Sequence, residues 1–312
     1  MSPPIPFTVL GGYLGSGKTT LLNHVLRQAG GRRIGVIVND FGALDIDASL
    51  IESRGNDVLS LANGCVCCSI SAGFAEALTT LSRLRPAPEH VVIEASGVAD
   101  PARVACYGDL PPYRLDGVVV LADAETIRRR TTDKYVGGTV LHQLRAADII
   151  VLNKIDLIGA AEQAGLRAWL LAQVPRARLF AVRYGRVPLA LLLGIHGDAA
   201  TPGEHDHDHE HGDDYASWSM VRDTPMPEAA LRAAVTAWPA SVLRAKGMVW
   251  LTGDPARRHV FQLVGARWSL TPGRDWGGER PRTEIVLIGL AGQLDGAALL
   301  APLGQEQTAP TP

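Results

Sequence analysis

Three of the chain's four cysteines lie within four consecutive positions, as Cys65, Cys67 and Cys68. Thiolates are the preferred protein ligands of soft ions such as Zn²⁺ and Cu⁺. The Cys-Val-Cys-Cys spacing is too compact to surround a tetrahedral ion in regular structure, but two or three sulfur atoms can converge on one ion in a loop. Three protein ligands leave a fourth position open. An open position favours transfer of the ion, because structural zinc sites are closed.

Two other interpretations of these cysteines stay open. Cys65 and Cys68 have the C-x-x-C spacing of redox pairs. Cysteines also serve as small buried hydrophobic residues. Cys106, which stands apart from the cluster, is predicted to be such a core residue.

A phosphate-binding loop is predicted near the start of the chain. Residues 12–19 read Gly-Tyr-Leu-Gly-Ser-Gly-Lys-Thr and match the complete pattern G-x-x-x-x-G-K-[ST] between a predicted strand and a predicted helix. Backbone N–H groups and the helix N-terminus favour phosphate oxygens there. Lys18 is expected to reach the β- and γ-phosphates, and the Thr19 hydroxyl to bind Mg²⁺. The residues expected to hold the nucleotide are Gly12, Gly15, Ser16, Gly17, Lys18, Thr19 and Thr20.

The base is predicted to be guanine. The tetrapeptide Asn153-Lys154-Ile155-Asp156 follows an apolar strand downstream of the phosphate loop. An aspartate at this place accepts two hydrogen bonds from the N1–H and 2-amino groups of guanine. Adenine does not offer these donors, so GTP is expected in preference to ATP. Asn153, Lys154 and Asp156 are therefore assigned to nucleotide binding.

A second magnesium ligand is predicted at Glu94, which follows the strand 91–93. Its carboxylate is expected to meet the Mg²⁺ shell through water. The Gly97 N–H, three residues later, is expected to sense the γ-phosphate. Lys18, Glu94 and Gly97 are the predicted catalytic residues.

A first switch is predicted after the second strand, at residues 39–42. Asp40, with Asp45 or Asp47, could approach Mg²⁺ or the second metal ion from there. A capping or loop role fits each of these aspartates equally well.

A polar run without any aliphatic side chain spans residues 203–214, and it contains His205, His207, His209 and His211 in strict alternation. Neutral imidazoles bind Zn²⁺, Ni²⁺ and Co²⁺. In a flexible chain such ligands bind weakly and exchange quickly, which suits the capture of ions. A solvated spacer is the alternative interpretation.

Short apolar strands and helical segments alternate in the first half of the chain. Strands are predicted at 7–10, 34–38, 91–93, 118–121, 149–152 and 177–182, and helices at 18–29 and 187–193. Continuous apolar strands separated by helices indicate a parallel sheet covered on both faces. The predicted fold class is α/β, a P-loop NTPase sheet with helices on both faces.

The second half indicates a smaller C-terminal α+β domain. Five of the six tryptophans lie after residue 201, which requires a core of their own. Strands are predicted at 216–223, 242–251, 259–270 and 284–289, and helices at 227–238 and 294–303. The predicted organisation is a GTPase domain with the metal-binding loop at 1–196, a histidine-rich flexible linker at 197–215, the second domain at 216–303 and a disordered tail at 304–312.

Composition narrows the partners and the compartment. The formal net charge is −2, which gives no sign of general nucleic-acid binding. No apolar run approaches the roughly 20 residues that cross a bilayer, so no membrane partner is expected. The N-terminal residues lack the features of a secretory signal. A cytoplasmic location is expected, where thiols stay reduced.

These motifs resemble those of the CobW family of P-loop GTPases, the metallochaperone branch of the SIMIBI class. The resemblance covers residues 11–20, 64–68, 94–101 and 153–156, and it extends to 244–250 and 282–285 in the second half. The family often has glutamate at the position of Asp40. It commonly has Thr-Thr or Thr-Ser-Gly in place of Ala95-Ser96.

The resemblance implies slow, Mg²⁺-dependent GTP hydrolysis coupled to the binding of Zn²⁺ or Co²⁺ at the clustered cysteines. It implies delivery of that ion to a client metalloprotein or a cobalamin-pathway enzyme, and the protein is expected to be a monomer or a GTP-dependent dimer. The alternatives are a cobalt-handling protein of cobalamin biosynthesis, a metal buffer or sensor with a weakly active nucleotide site, and an ATP-using kinase or ATPase.

Overall fold

A computed structural model describes residues 4–39, 58–61, 70–194, 213–304 and 306–307. The cysteine cluster, Asp40, Asp45 and Asp47 of the predicted first switch, and the four histidines of the histidine run lie outside the described residues. The described chain divides into two compact units, one ending at Leu193 and the other continuing from Asp213.

The first unit alternates strands and helices. Its elements are β1 (Ile5–Gly12), α1 (Lys18–Arg27), β2 (Ile34–Asn39), β3 (Val58–Leu61), α2 (Ile70–Arg83), β4 (His90–Glu94), α3 (Pro101–Ala105), β5 (Tyr113–Asp123), α4 (Ile127–Thr131), α5 (Gly137–Arg145), β6 (Ile149–Asn153), α6 (Ala160–Gln173), β7 (Arg178–Ala181) and α7 (Leu189–Leu193). Two short 3₁₀ helices, Cys106–Asp109 and Ile155–Leu157, follow α3 and β6.

The seven described strands of this unit form one sheet in the order β3-β2-β4-β1-β5-β6-β7. Every neighbouring pair is parallel. All residues of β4 and of β6 are buried, which explains why these strands are apolar on both faces. The predicted parallel α/β sheet is therefore confirmed.

Amphipathic helices supply the cover of the sheet. In α2 the buried residues Phe74, Ala77, Leu78 and Leu81 recur at helical spacing and join the main core. In α1 the buried face is formed by Leu21, Leu22 and Val25. This packing fixes the ends of the strands, and the strand ends carry the predicted site.

Cys106 is exposed, so the prediction that it belongs to the core is wrong. The short helix α3 buries Val104 and Ala105. The next side chain therefore turns away from the core, and the Cys106 thiol donates a hydrogen bond to the Ala102 carbonyl at 3.4 Å.

The second unit is an antiparallel sheet with two helices. Its elements are β8 (Tyr215–Arg222), α8 (Glu228–Ala237), β9 (Val242–Leu251), β10 (Asp254–Val264), β11 (Arg267–Asp275), β12 (Thr283–Leu290), α9 (Gly296–Leu300) and β13 (Glu306–Gln307). The described strands pair in the order β11-β10-β9-β12-β8-β13. Trp218 and Trp238 lie in its core with Leu231 of α8 and Leu300 of α9, so this unit buries its own apolar side chains.

The single strand predicted over 259–270 is wrong, because the segment contains a hairpin. β10 ends at Val264, β11 begins at Arg267, and Gly265 between them has φ 62°. A positive φ favours glycine, and two-residue connections are the commonest hairpin loops. Within the tail predicted to be disordered, β13 pairs with β8.

Among the described helices, none is both long enough and apolar enough to cross a membrane.

Candidate nucleotide-binding site

The carboxyl ends of four neighbouring strands carry the predicted nucleotide residues. β1 leads into the phosphate-binding loop, β4 ends at Glu94, β5 ends at Asp123 and β6 ends at Asn153. In open α/β sheets, ligands bind outside this edge. The sheet order therefore brings together motifs that are up to about 140 residues apart in the chain.

The N-terminus of α1 is suited to phosphate. Its N-cap is Gly17, with φ 101°, and no described side chain caps the helix or places an acidic group in its first turn. The first N–H groups of a helix have no intrahelical acceptors, and they attract anions. Lys18, the first residue of α1, is buried beside them with 7% exposure.

A pair of oxygen ligands lies next to this helix terminus. The Thr19 hydroxyl donates a hydrogen bond to Glu94 Oε1 at 3.1 Å, and Glu94 is 2% exposed. A hydroxyl and a carboxylate are hard oxygen ligands, which Mg²⁺ prefers. Thr19 and Glu94, predicted separately from two motifs, therefore fit one magnesium shell.

Asn153 joins the base motif to the phosphate loop. Its Nδ2 donates to the Ser16 carbonyl at 2.9 Å, and its Oδ1 accepts from the Gly185 N–H at 2.9 Å. The side chain is buried, so both ends of the amide are paired within the protein. Asn153 thus connects the phosphate loop to the segment that follows β7 by two hydrogen bonds.

Lys154 and Asp156 complete the base motif. Lys154 has φ 63°, and its ammonium group lies 2.7 Å from Asp123 Oδ2. Asp123 is buried, and its Oδ1 also accepts from the Glu125 N–H at 3.0 Å. Asp156 is exposed in the 3₁₀ helix after β6, so its carboxylate is accessible to a base.

The turn after β4 lies against the phosphate loop. Gly97 is buried, and a Cβ placed on it would be 2.8 Å from the Leu14 backbone nitrogen. Any side chain at this position would collide with the loop. The predicted γ-phosphate contact therefore borders the residues that are expected to hold the phosphates.

Several residues at this site were missed by the sequence analysis: Asp123, Arg130, Gln143 and Gly185. Their partners are between 31 and 116 positions away in the chain. None of them belongs to a recognisable motif. Only the position of Asp123, at the end of an apolar strand next to β6, resembles the signal that identified Glu94.

The cysteine segment begins at the same edge of the sheet. β3 ends at Leu61, which pairs with Asn39, and α2 begins at Ile70. Cys65, Cys67 and Cys68 fall in the undescribed segment between them, and the four histidines at 205–211 also lie outside the described residues. Within the described part of the chain, no three His, Cys, Asp or Glu residues group as a metal site.

Comparisons with known proteins identify the family to which the chain is similar. A family model described as the CobW/HypB/UreG nucleotide-binding domain matches residues 6–181, and the cobalamin synthesis protein cobW C-terminal domain matches residues 215–305. Zinc chaperone CobW from Sinorhizobium sp is 32% identical, over 96% of this chain and 96% of its own. Zinc chaperone YjiA from Escherichia coli K12 is 32% identical, over 92% of this chain and 94% of its own. The solved Zn(II)-bound YjiA GTPase from E. coli covers 97% of this chain and 98% of its own, at 26% identity and a TM-score of 0.47.

Proposed function

The chain belongs to the CobW family of P-loop GTPases, and on this premise we propose that it is a GTP-hydrolysing metallochaperone. It binds Zn²⁺ through Cys65, Cys67 and Cys68 when GTP and Mg²⁺ are bound, and it delivers the ion to a client protein. The names of the two curated relatives, both zinc chaperones, support zinc as the cargo.

One observation carries this proposal: the cysteine segment leaves the sheet beside the magnesium ligands. Val38 of β2 pairs with Glu94 on one side and with Ser60 of β3 on the other. Ser60 and Glu94 therefore lie in register, two strands apart in the sheet. The cysteine segment follows β3 directly after Leu61. The register of these three strands therefore supports a coupling between the Glu94 segment and the start of the cysteine segment.

Each nucleotide residue has a role in this function. Lys18 and the α1 N-terminus hold the phosphates, and Asp156 selects guanine. Bound Mg²⁺ would neutralise charge on the terminal phosphates, and Thr19 and Glu94 would hold it. The Gly97 N–H binds the γ-phosphate, so the turn after β4 responds to its loss on hydrolysis.

Calorimetric titration tests the coupling of metal to nucleotide. Zn²⁺ is titrated into the protein loaded with Mg²⁺ and a non-hydrolysable GTP analogue, and into the nucleotide-free protein. Coupling of about 1–3 kcal/mol corresponds to roughly 5–150-fold tighter Zn²⁺ binding in the loaded state. Equal Zn²⁺ affinity in the two states contradicts the proposal.

Serine variants locate the metal site. Cys65→Ser, Cys67→Ser and Cys68→Ser, combined, are expected to abolish tight, stoichiometric Zn²⁺ binding by the loaded protein. Cys106→Ser is the matched control, because this thiol is exposed and outside the cluster. A parallel titration with Co²⁺ compares the two cargo ions. Tight zinc binding that persists in the triple variant excludes the cysteine site.

Substitution of Asp156 tests the choice of base. Asp156→Asn replaces one of the two acceptor oxygens with an NH₂ group, so one of the two guanine donors loses its acceptor, and we expect GTP affinity to fall at least about 100-fold. The asparagine N–H can instead donate to the 2-oxo group of xanthine, so XTP affinity rises. Asp109→Asn, exposed and distant in the chain, controls for the loss of charge. Unchanged GTP affinity would show that Asp156 does not contact the base.

A further inference from the structure

Gln143 of α5 lies beneath the turn that follows β4. Its Nε2 donates two hydrogen bonds, to the Gly97 carbonyl at 3.0 Å and to the Ala99 carbonyl at 2.8 Å. The side chain is 2% exposed. Both acceptors are carbonyl oxygens, so only the amino end of the amide can face them.

The other side of Gly97 is closed by the phosphate loop. A Cβ on Gly97 would lie 2.4 Å from Leu14 Cδ2 and 2.8 Å from the Leu14 backbone nitrogen. Gly97 is therefore confined between Gln143 and the loop. These two neighbours restrict the backbone at Gly97.

The next residue along the turn is held from the same helix. His142 Nε2 lies 3.0 Å from Asp100 Oδ2, and Asp100 caps α3 by accepting from the Ala102 N–H at 2.9 Å. Two consecutive residues of α5 thus hold the turn from Gly97 to the start of α3. The phosphate loop packs against this turn at Leu14, and α5 supplies side-chain hydrogen bonds that orient the turn.

We propose that Gln143 is a positioning residue for GTP hydrolysis: it fixes the Gly97 carbonyl so that the Gly97 N–H faces the terminal phosphate. The inference rests on the proposed function, in which Gly97 contacts that phosphate. Gln143 does not touch the nucleotide. Its loss affects the terminal phosphate and leaves the binding of the α- and β-phosphates and of the base intact.

The test separates hydrolysis from binding. Gln143→Met keeps the length of the side chain and removes both donors. We expect kcat for GTP to fall about 10–100-fold, as for a small misplacement of a catalytic group, with the Kd for GDP within about twofold of the wild type. Gln173→Met, the same replacement at the end of α6, is the matched control and should leave kcat unchanged.

A second variant gives a readout that a packing role would not produce. Gln143→Glu preserves the shape but places a carboxylate against two carbonyl oxygens, which favours its protonated form. The protonated carboxyl donates one hydrogen bond, so kcat relative to wild type should rise as the pH falls. This measurement applies even if Gln143→Met fails to fold.

Three results overturn the inference: an unchanged kcat in Gln143→Met, a parallel loss of GDP affinity and kcat, or a pH-independent ratio for Gln143→Glu. In each case wild-type turnover is measured alongside. If the wild type hydrolyses GTP and couples zinc binding to GTP, but the Gln143 substitutions have no effect on kcat, only this inference is rejected. An inactive or uncoupled wild type instead rejects the proposed function.

Discussion

At the residue scale, Gly17 is a position in the phosphate loop that does not accommodate a side chain. Its φ is 101°, and a Cβ would lie 2.4 Å from Asn153 Nδ2. A larger residue would have to adopt a disfavoured backbone conformation and displace the amide that holds the Ser16 carbonyl. The pattern requires glycine here for two physical reasons.

We therefore expect Gly17→Ala to damage both stability and binding. The strained backbone alone costs about 1–3 kcal/mol, which lowers the melting temperature by at least about 3 °C in a domain of this size. GTP and GDP affinities should fall together by more than about tenfold, because displacement of Asn153 moves the loop. Calorimetry and thermal unfolding measure the two effects.

The control for this change is Gly165→Ala in the interior of α6. No atom lies within 4 Å of the added Cβ, and glycine costs about 0.5–1 kcal/mol relative to alanine inside a helix. Gly165→Ala should therefore raise stability and leave nucleotide binding unchanged. A Gly17→Ala protein that binds GTP normally would contradict the role given to Asn153.

The motif residues could be predicted from sequence, whereas their mutual contacts could not. The spacing of residues 12–19 and 153–156 predicts phosphate and guanine binding. The bond from Asn153 to Ser16 spans 137 positions, and the ion pair from Lys154 to Asp123 spans 31. These pairs exist because β5 lies between β1 and β6, and strand order is not encoded in any local pattern.

At the element scale, the short helix α4 contacts the phosphate loop at Tyr13 and Leu14. Arg130 Nη1 donates to the Leu14 carbonyl at 2.7 Å, and its guanidinium lies 4.8 Å from the centre of the Tyr13 ring. Leu14 is thus contacted by α4 as well as by the turn at Gly97. Two separate elements therefore hold this part of the phosphate loop without a bound nucleotide.

Removal of the guanidinium should weaken binding without changing catalysis. Arg130→Met loses a charge-assisted hydrogen bond and a cation–π contact, which together are worth about 1–2 kcal/mol at a partly exposed site. We expect GTP and GDP affinities to fall about 5–30-fold, with kcat at saturating GTP within about twofold.

Arg129→Met is the control for Arg130, because Arg129 is exposed on the same helix. It removes the same charge from the same region and should not affect affinity. A fall in kcat without a fall in GDP affinity, the pattern expected at Gln143, would show that α4 acts on the turn after β4 instead of the phosphate loop.

A buried phenol links β5 to α2 and makes the stability of the first unit depend on pH in the alkaline range. The Tyr113 hydroxyl donates to the Leu78 carbonyl, and burial raises the pKa of Tyr113 to about 12. The folded state therefore favours the neutral phenol. Its contribution is complete below about pH 10, the usual pKa, and is lost as the pH rises through about 12.

We expect Tyr113→Phe to cost about 1 kcal/mol of unfolding free energy near pH 8, through the lost hydrogen bond. This deficit should shrink or reverse between pH 10 and 12, because the variant has no phenol to ionise. Urea unfolding at several pH values measures the difference. Tyr135→Phe, at a side chain 87% exposed, controls for the substitution, and a deficit independent of pH would contradict the burial argument.

Strands that are apolar along their whole length could be predicted from the sequence. Turns and single helical turns, whose position depends on contacts with distant residues, could not. The strands around Val92 and Ile150 are recognisable because both of their faces are buried. The hairpin at Gly265 was hidden because apolar residues continue on both sides of the turn. Cys106 was misplaced because a single turn of helix gives too little periodicity to assign a face.

At the scale of the whole molecule, each unit has a core of its own. The first unit holds the entire described nucleotide site and buries side chains from Phe7 to Ala181 around its sheet. The second buries Trp218, Trp238 and their neighbours. The excess of tryptophan after residue 201 predicted this second core.

Residues 1–196 alone should therefore fold and bind GTP. The described hydrogen bonds and ion pair that hold Asn153 and Lys154 at the candidate nucleotide site involve no residue after Gly185, so we expect this fragment to have a Kd for GTP within about threefold of that of the full chain. GTP at 100 times its Kd should stabilise the fragment by about 2.7 kcal/mol, because the ligand binds only the folded form. Thermal unfolding followed by circular dichroism measures this shift.

Tryptophan fluorescence provides the internal check, since Trp169 is the fragment's only tryptophan and the other five lie beyond it. An unfolded fragment would show that the first unit needs the rest of the chain for its stability, and a folded fragment that does not bind GTP would show that the nucleotide site needs residues after 196.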